Sequence, residues 1–186
     1  MLAEILDIHG LTSVEELELL QELAKAAPAG KILEIGTFNG RSTAALCEAV
    51  GDDRVVSVDS YKMQHHGENN ESLSTRYLAN LGMQPQLHNG KSPLSARWLD
   101  ENVPILSMVF IDGHHHPDTV SKELETYGDK LVLKGIIALH DYNCPEYPGY
   151  TEAIDAYFAR TGWKTLTPEP VDRLVAYLKV EHDALL

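Results

Sequence analysis

Cysteine and basic residues are scarce in this sequence of 186 residues. The two cysteines, Cys47 and Cys144, are too few for a disulfide framework, which is typical of proteins from a reducing compartment. Lysine and arginine together number 15 against 28 aspartates and glutamates, so the formal net charge is -13. Nucleic-acid backbones and anionic membrane surfaces bind clusters of basic side chains, and this charge balance therefore argues against both partners.

Long hydrophobic runs are missing as well. No apolar stretch reaches the roughly 20 residues that a helix needs to span a bilayer. Glu4 and Asp7 stand where a secretory signal has its basic region, so we expect no signal peptide. These absences favour a cytoplasmic protein that binds neither nucleic acid nor membranes. The sequence leaves open whether the protein forms a homo-oligomer.

The first thirty residues predict a helix. Ser13 and Glu16 form a capping box. Apolar residues then recur at helical spacing until Pro28 and Gly30 end the pattern. Two roles are open for this helix: it covers one face of a sheet, or it forms part of a lid over a bound ligand.

The next segment predicts a strand, a glycine turn and a helix. Ile32–Ile35 has the composition of a buried strand, Gly36 and Gly40 bracket the turn, and the helical run reaches Val50. This succession is the cofactor-binding first unit of a doubly wound α/β sheet. Phe38 stands at the middle glycine of the dinucleotide fingerprint, which argues against a nicotinamide cofactor.

This segment resembles the first motif of class I S-adenosylmethionine-dependent methyltransferases. Leu-Glu-Ile-Gly-Thr-Phe-Asn-Gly-Arg-Ser-Thr is close to its form in small-molecule O-methyltransferases, and the acidic residue that follows the family's second strand corresponds to Asp59. The resemblance implies S-adenosylmethionine as the cofactor, with Asp59 on the ribose hydroxyls and Gly36 and Gly40 beside the methionine part. The cofactor-binding residues implied in this region are Glu34, Gly36, Thr37, Asn39, Gly40, Ser42, Asp59 and Ser60.

The residues after the third predicted strand depart from the family pattern. In the family, an acidic or polar residue there binds adenine, often within Gly-Asp-Ser, whereas Lys91 takes the Asp position here. Asn89 or Ser92 is the expected replacement. The alternative is an ordinary turn in which Ser92 caps the helix through Trp98. The remaining cofactor-binding candidates are Asn89, Ser92, Asp112 and His114.

Apolar segments alternate with helical patterns along the rest of the chain. Alternating βα units predict a mainly parallel α/β sheet with helices on both faces. The resemblance to class I methyltransferases implies a Rossmann-like, doubly wound sheet of seven strands in the order 3-2-1-4-5-7-6. We predict one methyltransferase domain over residues 1–186, with residues 1–30 as a helical cover and residues 31–186 as the core. The predicted strands are residues 32–35, 55–58, 85–88, 105–111, 136–139, 163–166 and 174–180.

In this order, the ends of the first, fourth and fifth strands open onto one crevice. Gly36, Asp112, His115 and Asp141 are therefore expected around a common cavity. A divalent cation can lower the pKa of an alcohol and fix its position, and hard cations prefer carboxylate ligands. A neutral histidine can accept the proton. The competing interpretation is that the aspartates cap helices and the three consecutive histidines are surface residues.

Asp112-Gly-His-His115 is similar to the Asp-Gly-x-His motif of bacterial sugar and antibiotic O-methyltransferases. In related catechol-type enzymes, this Asp binds Mg²⁺ and a Lys three residues later is the base, which implies that His115 is the base here. Those enzymes complete the metal site with Asp-Asn, and Tyr142 stands at the Asn position. The catalytic residues implied are His115, Asp112 and Asp141. The metal ligands implied are Asp112 and Asp141, with His140 and Asn143 as alternatives for the third.

Residues 60–71 form a polar segment that is longer than a usual strand-to-helix loop. Two interpretations are open for His65 and His66 in this segment: they bind metal or substrate, or they are solvated residues of the loop.

Three functions are open at this stage. The first is metal-assisted O-methylation of a small hydroxylated molecule, which needs S-adenosylmethionine and Mg²⁺ or another divalent cation. The second is a methyltransferase-like binding or regulatory protein without turnover. The third is another Rossmann-fold enzyme, such as a nicotinamide-dependent oxidoreductase.

Overall fold

The computed structural model describes residues 2–62, 64–65 and 68–181, so His66 lies outside the described residues. Within these residues, seven strands form the main sheet in the order β3-β2-β1-β4-β5-β7-β6, which confirms the predicted order. The strands are β1 (Lys31–Ile35), β2 (Val55–Asp59), β3 (Gln86–Asn89), β4 (Leu106–Ile111), β5 (Leu131–Leu139), β6 (Lys164–Thr165) and β7 (Val175–Leu178). A separate ribbon pairs Gln64–His65 with Glu68–Asn69.

The main sheet is parallel from β3 to β5, and β7 is antiparallel to both β5 and β6. The helices are α1 (Leu2–Leu6), α2 (Val14–Ala26), α3 (Arg41–Val50), α4 (Asn70–Asn80), α5 (Ala96–Asn102), α6 (Pro117–Lys130) and α7 (Tyr150–Thr161), with a short 3-10 helix at Asp52–Arg54. No helix in the described part of the chain is long and apolar enough to cross a membrane.

Side chains on the two faces of the sheet build separate halves of the core, because successive residues of a strand point to opposite sides. Leu33 packs in a cluster with Val120 of α6 and Ile154 of α7. Ile32 packs in a second cluster with Leu20 of α2 and Leu46 of α3. Burying a side chain of this size contributes about 1.5–3 kcal/mol, so helices are held on both faces.

Several boundaries differ from the predicted ones. β5 begins at Leu131 rather than residue 136, because Leu131 already pairs with Leu106 before left-handed Lys134 (φ 62°) interrupts the ladder. Helix α5 begins at Ala96, and its N-cap is Ser95. The alternative in which Ser92 caps this helix is therefore wrong. The capping box of α2 is present as predicted.

Candidate active site

A cavity of about 630 Å³ opens at the carboxyl ends of β3, β2, β1, β4 and β5. Ligands of open α/β sheets bind at this edge, where the crossover connections change direction. Most of the predicted site residues line this cavity. They are Gly36, Thr37, Ser42, Asp59, Ser60, Ser92, Asp112, His114, His115, His140 and Asp141.

Gly36 lets the backbone that follows β1 lie directly against the backbone that follows the neighbouring strand β4. Its φ is +100°, and a Cβ atom there would lie 2.0 Å from the carbonyl oxygen of Asp112. Its N–H donates to Val58 O at 2.8 Å. Only glycine meets both conditions without strain, so the packing of the chain on itself already requires this residue.

Asp59 organises the glycine loop from the end of β2. Its Oδ2 accepts hydrogen bonds from Thr37 N at 3.0 Å and Phe38 N at 2.9 Å. Its Oδ1 accepts one from Tyr61 N at 2.8 Å. An ionised carboxylate offers about four acceptor positions, so Asp59 can still accept a hydroxyl from a ligand in the cavity. Its predicted contact with ribose stays a prediction.

Glu34 does not line the cavity, which corrects its predicted place beside the cofactor. Its carboxylate is fully buried and accepts hydrogen bonds from Thr43 Oγ1 at 2.5 Å and from Ser57 Oγ. Burial raises the pKa of Glu34 to about 7. Side chains alternate along a strand, and the side chain of Glu34 points to the face of β1 that α3 covers rather than into the cavity beyond the strand end.

Three more predicted cofactor residues are absent from the cavity lining. Gly40 serves as the left-handed N-cap of α3 (φ 91°). Asn39 donates from Nδ2 to the carbonyl oxygen of His9 at 3.1 Å. Asn89 donates from Nδ2 to Glu71 Oε2 at 2.9 Å, so its amide is turned toward α4. The structure gives these residues roles in shaping loops.

Asp112, His115 and Asp141 come together at the ends of β4 and β5. His115 Nε2 lies 3.2 Å from Asp141 Oδ2 and 3.6 Å from Asp112 Oδ1. One potential ligand atom from each of the three lies within 4.8 Å of the others, a spacing that could hold a metal ion. The His115 ring stacks on Tyr147 at 4.4 Å, which fixes its orientation.

His140 lies beneath this group and bridges three acids. Its Nδ1 is 3.2 Å from Asp112 Oδ1, and its Nε2 is 3.1 Å from Glu16 Oε2. Burial opposes the charged imidazole, yet Asp112, Asp141 and Glu16 raise the pKa of His140 to about 12. In return, His140 helps to hold the pKa of each aspartate below its usual range against the opposing effect of burial.

Asn143 does not belong to this cluster, although the sequence made it a candidate third ligand. It is exposed and left-handed (φ 60°), and its backbone N–H donates to Thr151 Oγ1. His140 is near both aspartates but directs Nε2 at Glu16. The third ligating group in reach is therefore His115, which the sequence had assigned as the base.

Glu16 and Arg173 are site residues that the sequence analysis missed. Glu16 Oε1 accepts from Arg173 N at 2.9 Å, while Oε2 accepts from Ser13 N at 2.8 Å. Arg173 Nη1 donates to Asp141 Oδ1 at 3.3 Å. The capping-box pattern was the one signal at Glu16, and it indicated a helix end without its second role of buttressing His140.

The N-terminal segment borders the cavity because Arg41 holds it there. The guanidinium donates to the carbonyl oxygens of Ile8, Leu6, Gly10 and Thr12, at 2.5, 3.0, 3.1 and 3.2 Å. Gly10 and Thr12 line the cavity. Helix α2 itself covers one face of the sheet, which is the first of the two roles left open for it, whereas the residues that precede it form one wall of the cavity. A lid role for this helix stays a prediction.

Several buried polar side chains belong to the residues that line this cavity, among them Tyr61, Asn70 and Glu123. Buried polar groups are nearly always hydrogen-bonded in native proteins, and Ser92 is the hydrogen-bonding side chain beside Glu123.

Residues 33–142, more than half of the chain, match a family described as a methyltransferase domain. This range contains the glycine loop, Asp59, the Asp-Gly-x-His segment and Asp141. Among curated proteins, none matches this sequence significantly.

Solved structures share the fold. The O-methyltransferase NovP superposes with a TM-score of 0.69 at 15% identity, covering 93% of this chain and 83% of its own. SAH-bound methyltransferase PaMTH1 from Podospora anserina gives 0.68 at 17% identity, covering 92% and 80%. An O-methyltransferase from Bacillus cereus in complex with SAH gives 0.66 at 18% identity, covering 96% and 90%. At these identities, the similarity shows a common fold.

Proposed function

We propose that this chain, which belongs to the methyltransferase-domain family, catalyses S-adenosylmethionine-dependent O-methylation of a small hydroxylated molecule. The observation that supports this most is the cavity at the sheet edge, which has a glycine loop and Asp59 at one side and Asp112, His115 and Asp141 at the other. Family membership also argues against the nicotinamide-dependent oxidoreductase. Structural neighbours that hold SAH support the choice of cofactor.

The residues present fit S-adenosylmethionine. Asp59 would accept the ribose hydroxyls, and the glycine loop would carry the methionine part over Gly36. When bound, this cofactor supplies a methyl group on a positively charged sulfur, and its transfer to the acceptor oxygen leaves S-adenosylhomocysteine. The carboxylates near Gly36 suit a positively charged group, since opposite charges attract strongly in a partly buried site.

The acceptor is proposed to be small and to enter between the N-terminal segment and Tyr147. Leu11 is 83% exposed at the cavity wall, and Tyr147 lines the same opening beside His115. Apolar and aromatic side chains at an opening favour an organic acceptor with an apolar surface. The net charge of -13 argues against an RNA acceptor.

His115 is the proposed general base. It lies beside the carboxylates that would hold the acceptor hydroxyl, and its ring is fixed by the stacking contact with Tyr147. Asp141 at 3.2 Å stabilises the imidazolium that forms when His115 accepts the hydroxyl proton. The acceptor oxygen then carries the charge that the methyl transfer needs.

A divalent cation is proposed to assist. Asp112, His115 and Asp141 would hold it. Carboxylate oxygens together with an imidazole nitrogen are a common ligand set for divalent ions of the first-row transition metals. Bound there, the ion would supply Lewis-acid activation of the acceptor hydroxyl. His140, held between the same aspartates, neutralises part of their charge without an ion.

The test is methyl transfer from radiolabelled S-adenosylmethionine to a library of phenols, catechols, sugars and hydroxylated metabolites. Substitution His115→Ala should lower turnover about 10²–10⁴-fold, the usual range for a general base. The loss should shrink at high pH, where the acceptor ionises unaided. A wild-type rate in this variant at every pH contradicts the base assignment. Bound cofactor without turnover on any acceptor favours a binding protein.

Divalent ions are tested in the same assay. If an ion assists, activity disappears with excess chelator and returns when Mg²⁺, Mn²⁺ or Zn²⁺ is added back. Full activity in chelator contradicts metal assistance while leaving the methyltransferase assignment in place.

A further inference from the structure

Glu16 is a buried acid in the first turn of α2, and its residue is only 1% exposed. Three donors converge on its carboxylate. Oε1 accepts from Arg173 N at 2.9 Å, and Oε2 accepts from Ser13 N at 2.8 Å and from His140 Nε2 at 3.1 Å. A capping box needs the bond to Ser13 alone. The other two donors lie 124 and 157 residues further along the chain, so helix capping does not account for them.

The bond from Glu16 fixes the ring of His140. The backbone donors on Glu16 make its carboxylate an acceptor, so Nε2 of the ring donates to it. On the opposite side of the ring, Nδ1 lies 3.2 Å from Asp112 Oδ1 and 3.5 Å from Asp141 Oδ2. A ring turned over by 180° would place carbon atoms at both positions. Since His140 is buried and water cannot replace the bond, Glu16 determines which edge of the ring faces the aspartates.

Arg173 provides a second connection from Glu16 to the same centre. Its backbone N–H donates to Glu16, and its carbonyl oxygen accepts from Tyr142 N at 3.0 Å. Its side chain then reaches the aspartate at the end of β5, where Nη1 donates to Asp141 Oδ1 at 3.3 Å. Glu16 therefore holds both the imidazole and the peptide from which the guanidinium extends.

We propose that Glu16 is a positioning residue for methyl transfer, which acts through His140 and the backbone of Arg173 to orient the aspartates at the ends of β4 and β5. These aspartates are Asp112 and Asp141. The role rests on the proposed function, in which their carboxylates hold the acceptor hydroxyl. Glu16 itself lies outside the cavity lining, so its loss should lower turnover and leave cofactor affinity unchanged. The competing role is structural, as a helix cap alone.

Glu16→Gln is the first test, because it keeps the shape of the side chain. An amide has an acceptor on one side and donors on the other, so one of the bonds to Arg173 N and His140 Nε2 is replaced by a contact between two donors. Groups that orient the residues of a reactive centre typically change activity roughly 10-fold to 100-fold when they are substituted. We expect kcat to fall within this range, while calorimetry gives an unchanged affinity for S-adenosylhomocysteine.

Ser13→Ala is the matched control. It removes the hydroxyl that accepts from Glu16 N at 3.3 Å and so weakens the cap. It keeps the backbone N–H of residue 13 and the other two donors on Glu16. This variant should melt at a lower temperature than the wild type and keep its kcat. A wild-type kcat in Glu16→Gln overturns the proposal, and so does a loss of kcat in Ser13→Ala as large as that in Glu16→Gln.

Nuclear magnetic resonance of the histidine rings tests the contact without an activity assay. A ring N–H that donates to a buried carboxylate exchanges slowly with water, so we expect a protected Nε2–H of His140 in the wild type and its loss in Glu16→Gln. An unprotected Nε2–H in the wild type overturns the proposal even if Glu16→Gln does not fold. A wild type that methylates no acceptor overturns the proposed function, whereas an active wild type with an equally active Glu16→Gln overturns the role of Glu16 alone.

Discussion

Glu123 is a fully buried acid in α6, and its burial makes the stability of this protein depend on pH. The pKa of its carboxyl group is about 7 in the folded chain because of burial, against an ordinary value of 4.5. Between these values, the folded state holds a proton that the unfolded state has lost. The free energy of unfolding therefore falls as the pH rises from 4.5 to 7, and the contribution of Glu123 is constant outside this window.

The size of the effect follows from the shift. Each pKa unit corresponds to 1.36 kcal/mol, so the shift from 4.5 to about 7 lowers the free energy of unfolding by about 3 kcal/mol above pH 7. Burial raises the pKa of Glu34 to about 7, so this residue also lowers the free energy of unfolding as the pH rises through the same window. The pKa of His140 is raised to about 12, so its stabilising contribution begins to decrease once the pH exceeds its ordinary pKa of 6.5. A pH series on the wild type alone would mix all three.

Glu123→Gln isolates the first of them, because the other groups are common to both proteins. We expect the difference in the free energy of unfolding, wild type minus variant, to fall by about 3 kcal/mol between pH 4.5 and 7 and then to level off. Urea titrations followed by the fluorescence of Trp98 and Trp163 at half-unit pH steps measure it. A difference that stays constant across this range would refute the conclusion that burial disfavours the charged form of Glu123.

Two further predictions concern the cofactor loop. Asp59→Ala should weaken the binding of S-adenosylhomocysteine by at least about tenfold, because it removes the proposed ribose acceptor and leaves the amides of Thr37 and Phe38 without their partner. An unchanged affinity in calorimetry would remove Asp59 from the site. Gly36→Val should destabilise the fold by more than about 4 kcal/mol, because its Cβ would overlap the carbonyl oxygen of Asp112. A soluble Gly36→Val variant with a wild-type melting temperature would contradict the packing described here.

The carboxyl ends of the strands could be predicted because they depend on local patterns, whereas the sheet order was implied by the resemblance to the methyltransferase family. Buried parallel strands are continuous apolar runs, and the polar residues that follow them must lie at one edge. Asp112, His115 and Asp141 could therefore be brought together from topology alone. Glu34 was misplaced because its neighbours in the motif say nothing about which face of β1 it occupies.

Contacts between segments far apart in the sequence could not be predicted. Arg41 reads as an ordinary charged residue at a helix start, and its four carbonyl partners lie more than 28 residues away in the chain. Glu123 occurs in a helical stretch rich in charged residues, where acids are normally solvated. Their roles depend on how α1, α3 and α6 pack, which composition and spacing do not encode.

The assignment of both a base and a metal site to the end of β4 has a chemical consequence. Nε2 of His115 is the nitrogen that faces Asp112 and Asp141. A neutral imidazole has one acceptor nitrogen, so this atom cannot bind an ion and take up a proton at the same time. If chelator abolishes activity, His115→Ala should also weaken divalent-ion binding, and Asp112 or Asp141 must then receive the proton. If activity survives chelator, His140 supplies the positive charge between the aspartates, and His115 is free to act as the base. Measuring divalent-ion affinity of wild type and His115→Ala beside the chelator assay therefore decides which of the two roles His115 has.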